Sequence, residues 1–398
     1  MTLVSIAERL GQDEFLAQSL HRDYRHVRQA VDVPDSLVSF NVLNQLIATH
    51  RLEPPRLRLS VDGEVLPQHR YAVPVSTRRH TVWQRTHPAE LHQCLADGAS
   101  LAIDAIDELH EPVADLAQHL ESWLRTHVQV NAYASWTPTE GFGIHWDDHD
   151  VIVVQVQGAK RWRLYGPTRH APMHHDVAFP GPPPKTLVAD LVLDPGDVLY
   201  LPRGWWHAVT ADQGTASLHL TCGLGLHTGA HLIGWLSERL RSHRLIRADL
   251  PLHASPDVQE AYVEAARKLL LDALDEPDLI RQFVAARDAE DLGRLRPSLP
   301  FLKDVPADPD LAVRLTTGRA RLTGARADDG SQVIRFSAAG QEVDFAPAAA
   351  PLLQCLLEGG WWTLADLAQV AGFSVSDAAG VAGELVGGQI VCVRAGHR

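Results

Sequence analysis

Between Val128 and Leu226 the chain breaks into short apolar runs divided by glycine and proline: "VQVNAYASW", "VIVVQVQG", "KRWRLYGP", "TLVADLVLDPGDVLYLP" and "ASLHLTCGLG". Runs this short, rich in Val, Tyr and Trp and bounded by turn residues, suit strands better than helices. A series of them at this spacing closes as a sandwich or barrel, which leaves few strand edges unpaired. The region therefore predicts a mainly β core around which the rest of the chain is arranged. The proline-rich "FPGPPPKT" at 179–186 predicts a loop between two of its strands.

The flanks read differently. "DEFLAQSLHRDYRHVRQAV" near the start has helix-compatible spacing, and "RLRLSVDG" alternates as a strand before the turn dipeptide Asp62-Gly63. The stretch from Ser100 predicts a strand and then an amphipathic helix from about Pro112 to Arg125. From about Ala230 to Leu295, "AHLIGWLSERLRSHRLI" and "VQEAYVEAARKLLLDAL" space apolar residues three and four apart, as helices do. "PSLPFLKDVPADPD" at 297–310 has the composition of a linker. The tail predicts strand, strand, three short helices and a closing strand, with a hairpin turn at Asp328-Asp329-Gly330; this is the order of a winged helix. The expected division is 1–229, 230–300 and 301–398, and a chain of 398 residues has room for two or three such units.

Composition excludes several classes of function. A net charge of −13 argues against coating nucleic acid, and the predicted last helix, "SVSDAAGVAGELVGG", carries Asp377 and Glu384 but no Lys or Arg. The cysteines, Cys94, Cys222, Cys355 and Cys392, are scattered and suggest neither a zinc ribbon nor a disulfide framework. The N-terminus lacks the apolar core of a signal peptide, and no apolar run is long enough to cross a membrane. The expected location is the cytoplasm.

Chemistry concentrates in "GFGIHWDDHD", directly before the apolar run "VIVVQVQG". His145 and Asp147 are two apart, so on an extended segment they point the same way. With a second histidine they make the two-His-one-carboxylate set that holds Fe(II) with positions left open. His207, in "LDPGDVLYLPRGWWHAV", is the candidate third ligand, delivered by a turn at the start of the next strand. In a chain with 22 histidines an H-x-D pair alone carries little weight. Asp148, His149 and Asp150 remain either competing ligands or a polar turn.

Lys160 is the independent signal. Alternation in "KRWRLYGP" puts Lys160, Trp162 and Leu164 on one face and Arg161, Arg163 and Tyr165 on the other. If the tryptophan faces inward, so does the lysine, and an inward ammonium is costly unless it meets an anion. The alternative, with Arg161 and Arg163 inward and Lys160 solvated, stays open.

"NAYASWTPTEGFGIHWDDHDVIVVQVQGAKRWRLYGP", followed by "LDPGDVLYLPRGWWHAV", resembles the JmjC-type cupins of the ribosomal oxygenase group, Fe(II)- and 2-oxoglutarate-dependent protein hydroxylases. The resemblance is densest from Asn131 to Gly223. It implies a double-stranded β-helix with flanking helices, a helical dimerisation region and a C-terminal winged helix. It also implies iron ligands at His145, Asp147 and His207, a 2-oxoglutarate pocket using Lys160 and Tyr133, and contributions from Thr221 and Asn131. The implied reaction consumes O₂ and hydroxylates a side chain in a protein or peptide, on a homodimeric enzyme. Trp136 is bulkier than the pattern leads one to expect, which bears on the substrate. The rivals are an oxygenase acting on a small metabolite or natural-product peptide, an N-methyl-lysine demethylase, and a metal-binding cupin without oxygenase activity.

Overall fold

The structure, a computed structural model, describes residues 6–76, 78 and 82–395. It divides after Gly225 into two compact units. In the first, α1 (Ile6–Leu10), α2 (Gln12–Gln18), β1 (Arg25–Val27) and α3 (Phe40–Thr49) precede β2 (Leu57–Val61) and β3 (Glu64–Val65). β4 (Ala72–Ser76) and β5 (Val82–Thr86) form a small sheet of their own, followed by α4 (Pro88–Ala96), β6 (Ser100–Ile103) and α5 (Glu111–Leu124). The β-rich region gives β7 (Val128–Ser135), β8 (Asp150–Gln157), β9 (Ala159–Pro167), β10 (Ala189–Leu193), β11 (Val198–Leu201), β12 (Trp205–Asp212) and β13 (Ser217–Leu224). These strands assemble into an eight-stranded sheet, β1-β11-β8-β13-β7-β6-β2-β3, and a three-stranded sheet, β10-β9-β12.

Burial explains why β8 reads as a nearly unbroken apolar run. Ile152, Val154 and Val156 face the helices on one side of the large sheet, while Val151 and Val153 face the smaller sheet on the other. A strand covered on both faces has no solvent side to make polar. β11 behaves alike, with Val198 and Tyr200 outward and Leu199 and Leu201 inward. Trp162, Leu164 and Leu193 complete the inner core from the small sheet. The unit is a mainly β cupin core with flanking helices.

The helix expected across Asp13–Val31 ends at Gln18. Arg25–Val27 instead pairs with β11, and two carboxylates hold it there: Asp150 takes the His21 ring at 2.7 Å and Asp197 takes the His26 ring at 3.0 Å. Long-range pairing overrides a weak local preference. α5 lies close to its expected bounds, with Pro112 in its first turn and Arg125 closing it in the left-handed conformation at φ 53°.

The second unit begins with α6 (Gly229–Leu240), α7 (Arg244–Arg247), α8 (Pro256–Leu274) and α9 (Leu279–Ala289), so the helical stretch ends before Leu295. Then come β14 (Leu311–Leu315), β15 (Arg321–Arg326), β16 (Gln332–Ala338), β17 (Gln341–Phe345), α10 (Ala350–Leu357), β18 (Trp362–Thr363), α11 (Leu364–Ala371), α12 (Val375–Gly387) and β19 (Val391–Ala395). Asp328-Asp329-Gly330 does turn β15 into β16. Four strands, not two, precede α10: the buried β14, at the centre of the sheet β18-β14-β19, and β17, paired with β16, are the additions. Capping boxes start α11 (Thr363 with Asp366) and α12 (Ser374 with Asp377).

Candidate metal centre

His145 lies in the loop before β8, and β12 fixes it. Its backbone N–H donates to the His207 carbonyl at 3.1 Å and its carbonyl accepts from the His207 N–H at 2.8 Å. One step further the Gly204 N–H donates to the Asp147 carbonyl at 2.9 Å. Gly204 has φ 80°, and a Cβ there would lie 2.8 Å from the Arg169 carbonyl oxygen, so this stitch requires glycine. The result is that the ligand atoms of His145, Asp147 and His207 all lie within 4.8 Å of one another.

Both imidazoles are set for coordination through Nε2. The Nδ1–H of His145 donates to the Gly143 carbonyl at 3.0 Å and that of His207 to the Trp205 carbonyl at 2.9 Å. A carbonyl only accepts, so each Nδ1 carries the proton and each Nε2 keeps its lone pair. Burial pushes the His207 pKa down to about 4, with His145 adding to the effect, so the ring is neutral at pH 7. His207 Nε2 is 3.7 Å from the Asp147 carboxylate, and Trp162 stacks on the His207 ring at 5.5 Å. Two neutral imidazoles and a carboxylate converging this closely are a donor set that fits a divalent first-row metal.

Lys160 points inward with Trp162 and Leu164, being 4% exposed, and the solvated alternative is excluded. Arg161 and Arg163 are on the other face, paired with Asp190 and Asp212 and with Glu140. Lys160 Nζ donates to Ser135 Oγ at 2.5 Å, and Ser135 bonds Ser100 at 2.9 Å. No carboxylate meets the ammonium among the described residues, and burial pushes its pKa down to about 7. Two further polar atoms in the same space, His219 Nδ1 and Trp162 Nε1, are buried with no partner. The lumen is thus built for a polar, anionic occupant.

Tyr133 sits between the stacked His219 ring at 5.2 Å and the edge-on Phe142 at 5.3 Å. Burial and the nearby Asp147 charge push its pKa up to about 12, so the phenol remains a donor. Asn131 is oriented by accepting the Ala105 N–H at 3.0 Å, and its amide reaches the Tyr133 hydroxyl at 3.5 Å. Thr221 pairs with Asn131 across the sheet and shares the inner face of β13 with His219. Trp136 points the other way and packs on Phe40 at 5.8 Å. Asp148 holds His149 and His174, and Asp150 is fully buried as an anchor for the N-terminal segment. Neither is in the converging set. Sequence reasoning missed Ser135 and His219. A lone histidine in "SLHLTCGL" reads as a core residue, and only the sheet-to-sheet packing brings it against Trp162 at 5.7 Å.

Residues 106–232, which include His145, Asp147, His207, Lys160, Tyr133, Asn131 and Thr221, match the JmjC domain family. This stretch of the chain is similar to the JmjC domain. Related sequences include the bifunctional lysine-specific demethylase and histidyl-hydroxylase NO66 of Drosophila persimilis, 28% identical over 198 residues, which is 47% of this chain and 26% of that protein. The protein of the same name in Drosophila pseudoobscura pseudoobscura is 37% identical over 106 residues, 27% of this chain and 11% of the other. The matches to these curated relatives thus span about a quarter of their length or less. Among solved structures, the ribosomal oxygenase YcfD of Escherichia coli with cobalt and succinic acid aligns with a TM-score of 0.60 at 19% identity, over 97% of this chain and 98% of that one. A second YcfD structure, with cobalt and 2-oxoglutarate, gives 0.59 at 18% identity, over 97% and 98%. The fold follows from these structural matches.

Proposed function

We propose that the protein is an Fe(II)- and 2-oxoglutarate-dependent oxygenase that hydroxylates an amino-acid side chain in a protein or peptide. The observation that carries this is the pairing of a converging His145, Asp147 and His207 set with a buried, anion-seeking Lys160 in one lumen. His145, Asp147 and His207 hold the metal. Lys160 and the Tyr133 hydroxyl hold the far carboxylate of 2-oxoglutarate, Asn131 aims the tyrosine, and Thr221 borders the pocket. Bound Fe(II) with 2-oxoglutarate and O₂ supplies the oxidising power to put hydroxyl on a C–H bond, leaving succinate and CO₂. The chain's own part is to orient the cosubstrate and to keep the site dry behind Trp162 and Leu164. The similarity to a ribosomal oxygenase that binds cobalt and 2-oxoglutarate, and to a histidyl-hydroxylase, supports this choice of cofactors and a protein substrate.

The test is anaerobic Fe(II) titration together with 2-oxoglutarate turnover. About one Fe(II) per chain is expected from the facial set. Asp147→Ala abolishes turnover and Asp148→Ala is much milder; the reverse order would put the ligand register one residue off. Mass spectrometry of cell proteins incubated with active and inactive enzyme then finds the substrate as a one-oxygen gain. The demethylase half of the NO66 name supports a second reading, whose signature is formaldehyde release.

For the whole chain the proposed division is a catalytic domain at 1–229, a helical dimerisation region at 230–300 and a winged helix at 301–398. α8 leaves Val258, Val263, Leu270, Leu271 and Leu274 exposed along its length, which supports a homodimer built on this helix. The order α10, α11, α12, β19 supports the winged helix, and the acidic α12 supports a protein-contact role without nucleic acid. Among the described residues no helix is long and apolar enough to cross a membrane. A cytoplasmic location is proposed.

A further inference from the structure

A second concave site lies in the first unit, apart from the lumen. A cleft of about 1170 Å³ opens between α3, β5 and α4. Small-molecule sites usually run to about 300–1,000 Å³, so this one has room for an elongated guest. Its floor is apolar: Leu43, Leu91 and Leu101 are buried beneath it, and Trp83 and Trp136 form walls.

Charge is what selects the guest. Among the described residues, none that lines the cleft is an aspartate or glutamate, although the chain as a whole carries −13. The ionisable groups of the lining are His50, Arg51, Arg85 and His92. Arg51 is already engaged: Glu53 takes it at 3.4 Å and its guanidinium lies 4.4 Å over the Trp83 ring. The other Glu53 oxygen accepts the Gln84 N–H at 2.9 Å, which leaves that carboxylate committed on both sides. Arg85 is the cation with no carboxylate partner among the described residues.

We propose that this cleft binds an amphipathic organic anion, an acyl or aryl body carrying a carboxylate or sulfonate. The body covers the leucine and tryptophan floor, and the head meets Arg85. A neutral apolar guest gains only the first of these, and an acidic guest without a body only the second. The inference stands apart from the proposed oxygenase reaction, since no lumen residue takes part.

Calorimetric titration of the full chain with octanoate, with 1-octanol as the neutral counterpart, tests it. Octanoate is expected to bind saturably, one per chain, and more tightly than octanol. Arg85→Glu, an exposed change, weakens octanoate at least about tenfold and leaves octanol unaltered. Ala48→Trp, which fills the cleft from the exposed side of α3, weakens both. Equal binding of alcohol and acid, or octanoate binding indifferent to both variants, overturns the proposal. So does displacement of octanoate by 2-oxoglutarate, which would put it in the lumen, and so does the absence of saturable binding.

Discussion

At the scale of single residues, Lys160 decides most. It is buried without a carboxylate, and its charge is worth having only when an anion arrives. Removing one partner of a buried charged pair costs about 3–5 kcal/mol, so Lys160→Ala should weaken 2-oxoglutarate binding by roughly two to three orders of magnitude. Tyr133→Phe loses one hydrogen bond and should do less, and Fe(II) binding should survive both, as paired anaerobic titrations will read. The depressed pKa, about 7, adds a signature. At pH 8 the free lysine is mostly neutral, and a bound dicarboxylate restores the ammonium; binding should therefore take up nearly one proton. At pH 6 the lysine is already charged and uptake should vanish. Binding enthalpies in buffers of different ionisation heat measure this, and equal uptake at both pH values would remove Lys160 from the pocket.

The alternation that turned Lys160 inward was legible in "KRWRLYGP", because a strand buried on one face has to repeat every second residue. His145 and Asp147 were legible for a related reason: an H-x-D step points two side chains the same way. Ser135 and His219 were not legible. Their roles come from packing between sheets, and nothing in the local pattern marks a serine or a histidine that meets a lysine from another strand.

At the scale of elements, the N-terminal segment is the part sequence periodicity misread, and its anchors explain why. Asp150 is fully buried at the start of β8, where it accepts from the Tyr200 hydroxyl, the His21 ring and the Arg203 N–H. Burial alone would raise its pKa, but the bonds from His21 and Tyr200 outweigh that and hold it below the usual carboxylate range. A depressed carboxyl contributes stability above its unfolded pKa and loses it as pH falls through the folded one. Asp150→Ala should cost about 3 kcal/mol at pH 7, since it strands a buried phenol and removes the pin on β1. Urea unfolding should show that margin shrinking below about pH 4. An unchanged margin at pH 7 would mean β1 is held by its pairing with β11 and by Asp197, without Asp150. β14 escaped notice for a different reason: five residues after a proline-rich linker are too few to establish a period.

At the scale of the whole molecule, two units carry separate cores, one around β8 and β13 and one around Leu353, Leu385 and Val391. The exposed apolar run of α8 is the feature that asks for a partner. Light scattering should find a dimer at micromolar concentration, and Leu270→Glu with Leu271→Glu should shift it to monomer while 2-oxoglutarate turnover by each chain persists. A wild-type monomer would remove the dimer from the proposal.

β6 and β7 act as a party wall. Ser100 and Ser135 serve the lysine on one side, while Leu101 and Trp136 furnish the cleft on the other. One backbone thickness separates two rooms whose tenants differ in every chemical respect. Inserting a single residue into β7 just before Ser135 would exchange them, sending serine into an apolar cleft and a bulky ring toward Lys160. The register of this one strand is therefore held twice over, and neither room can be remodelled by insertion or deletion without evicting the occupant of the other.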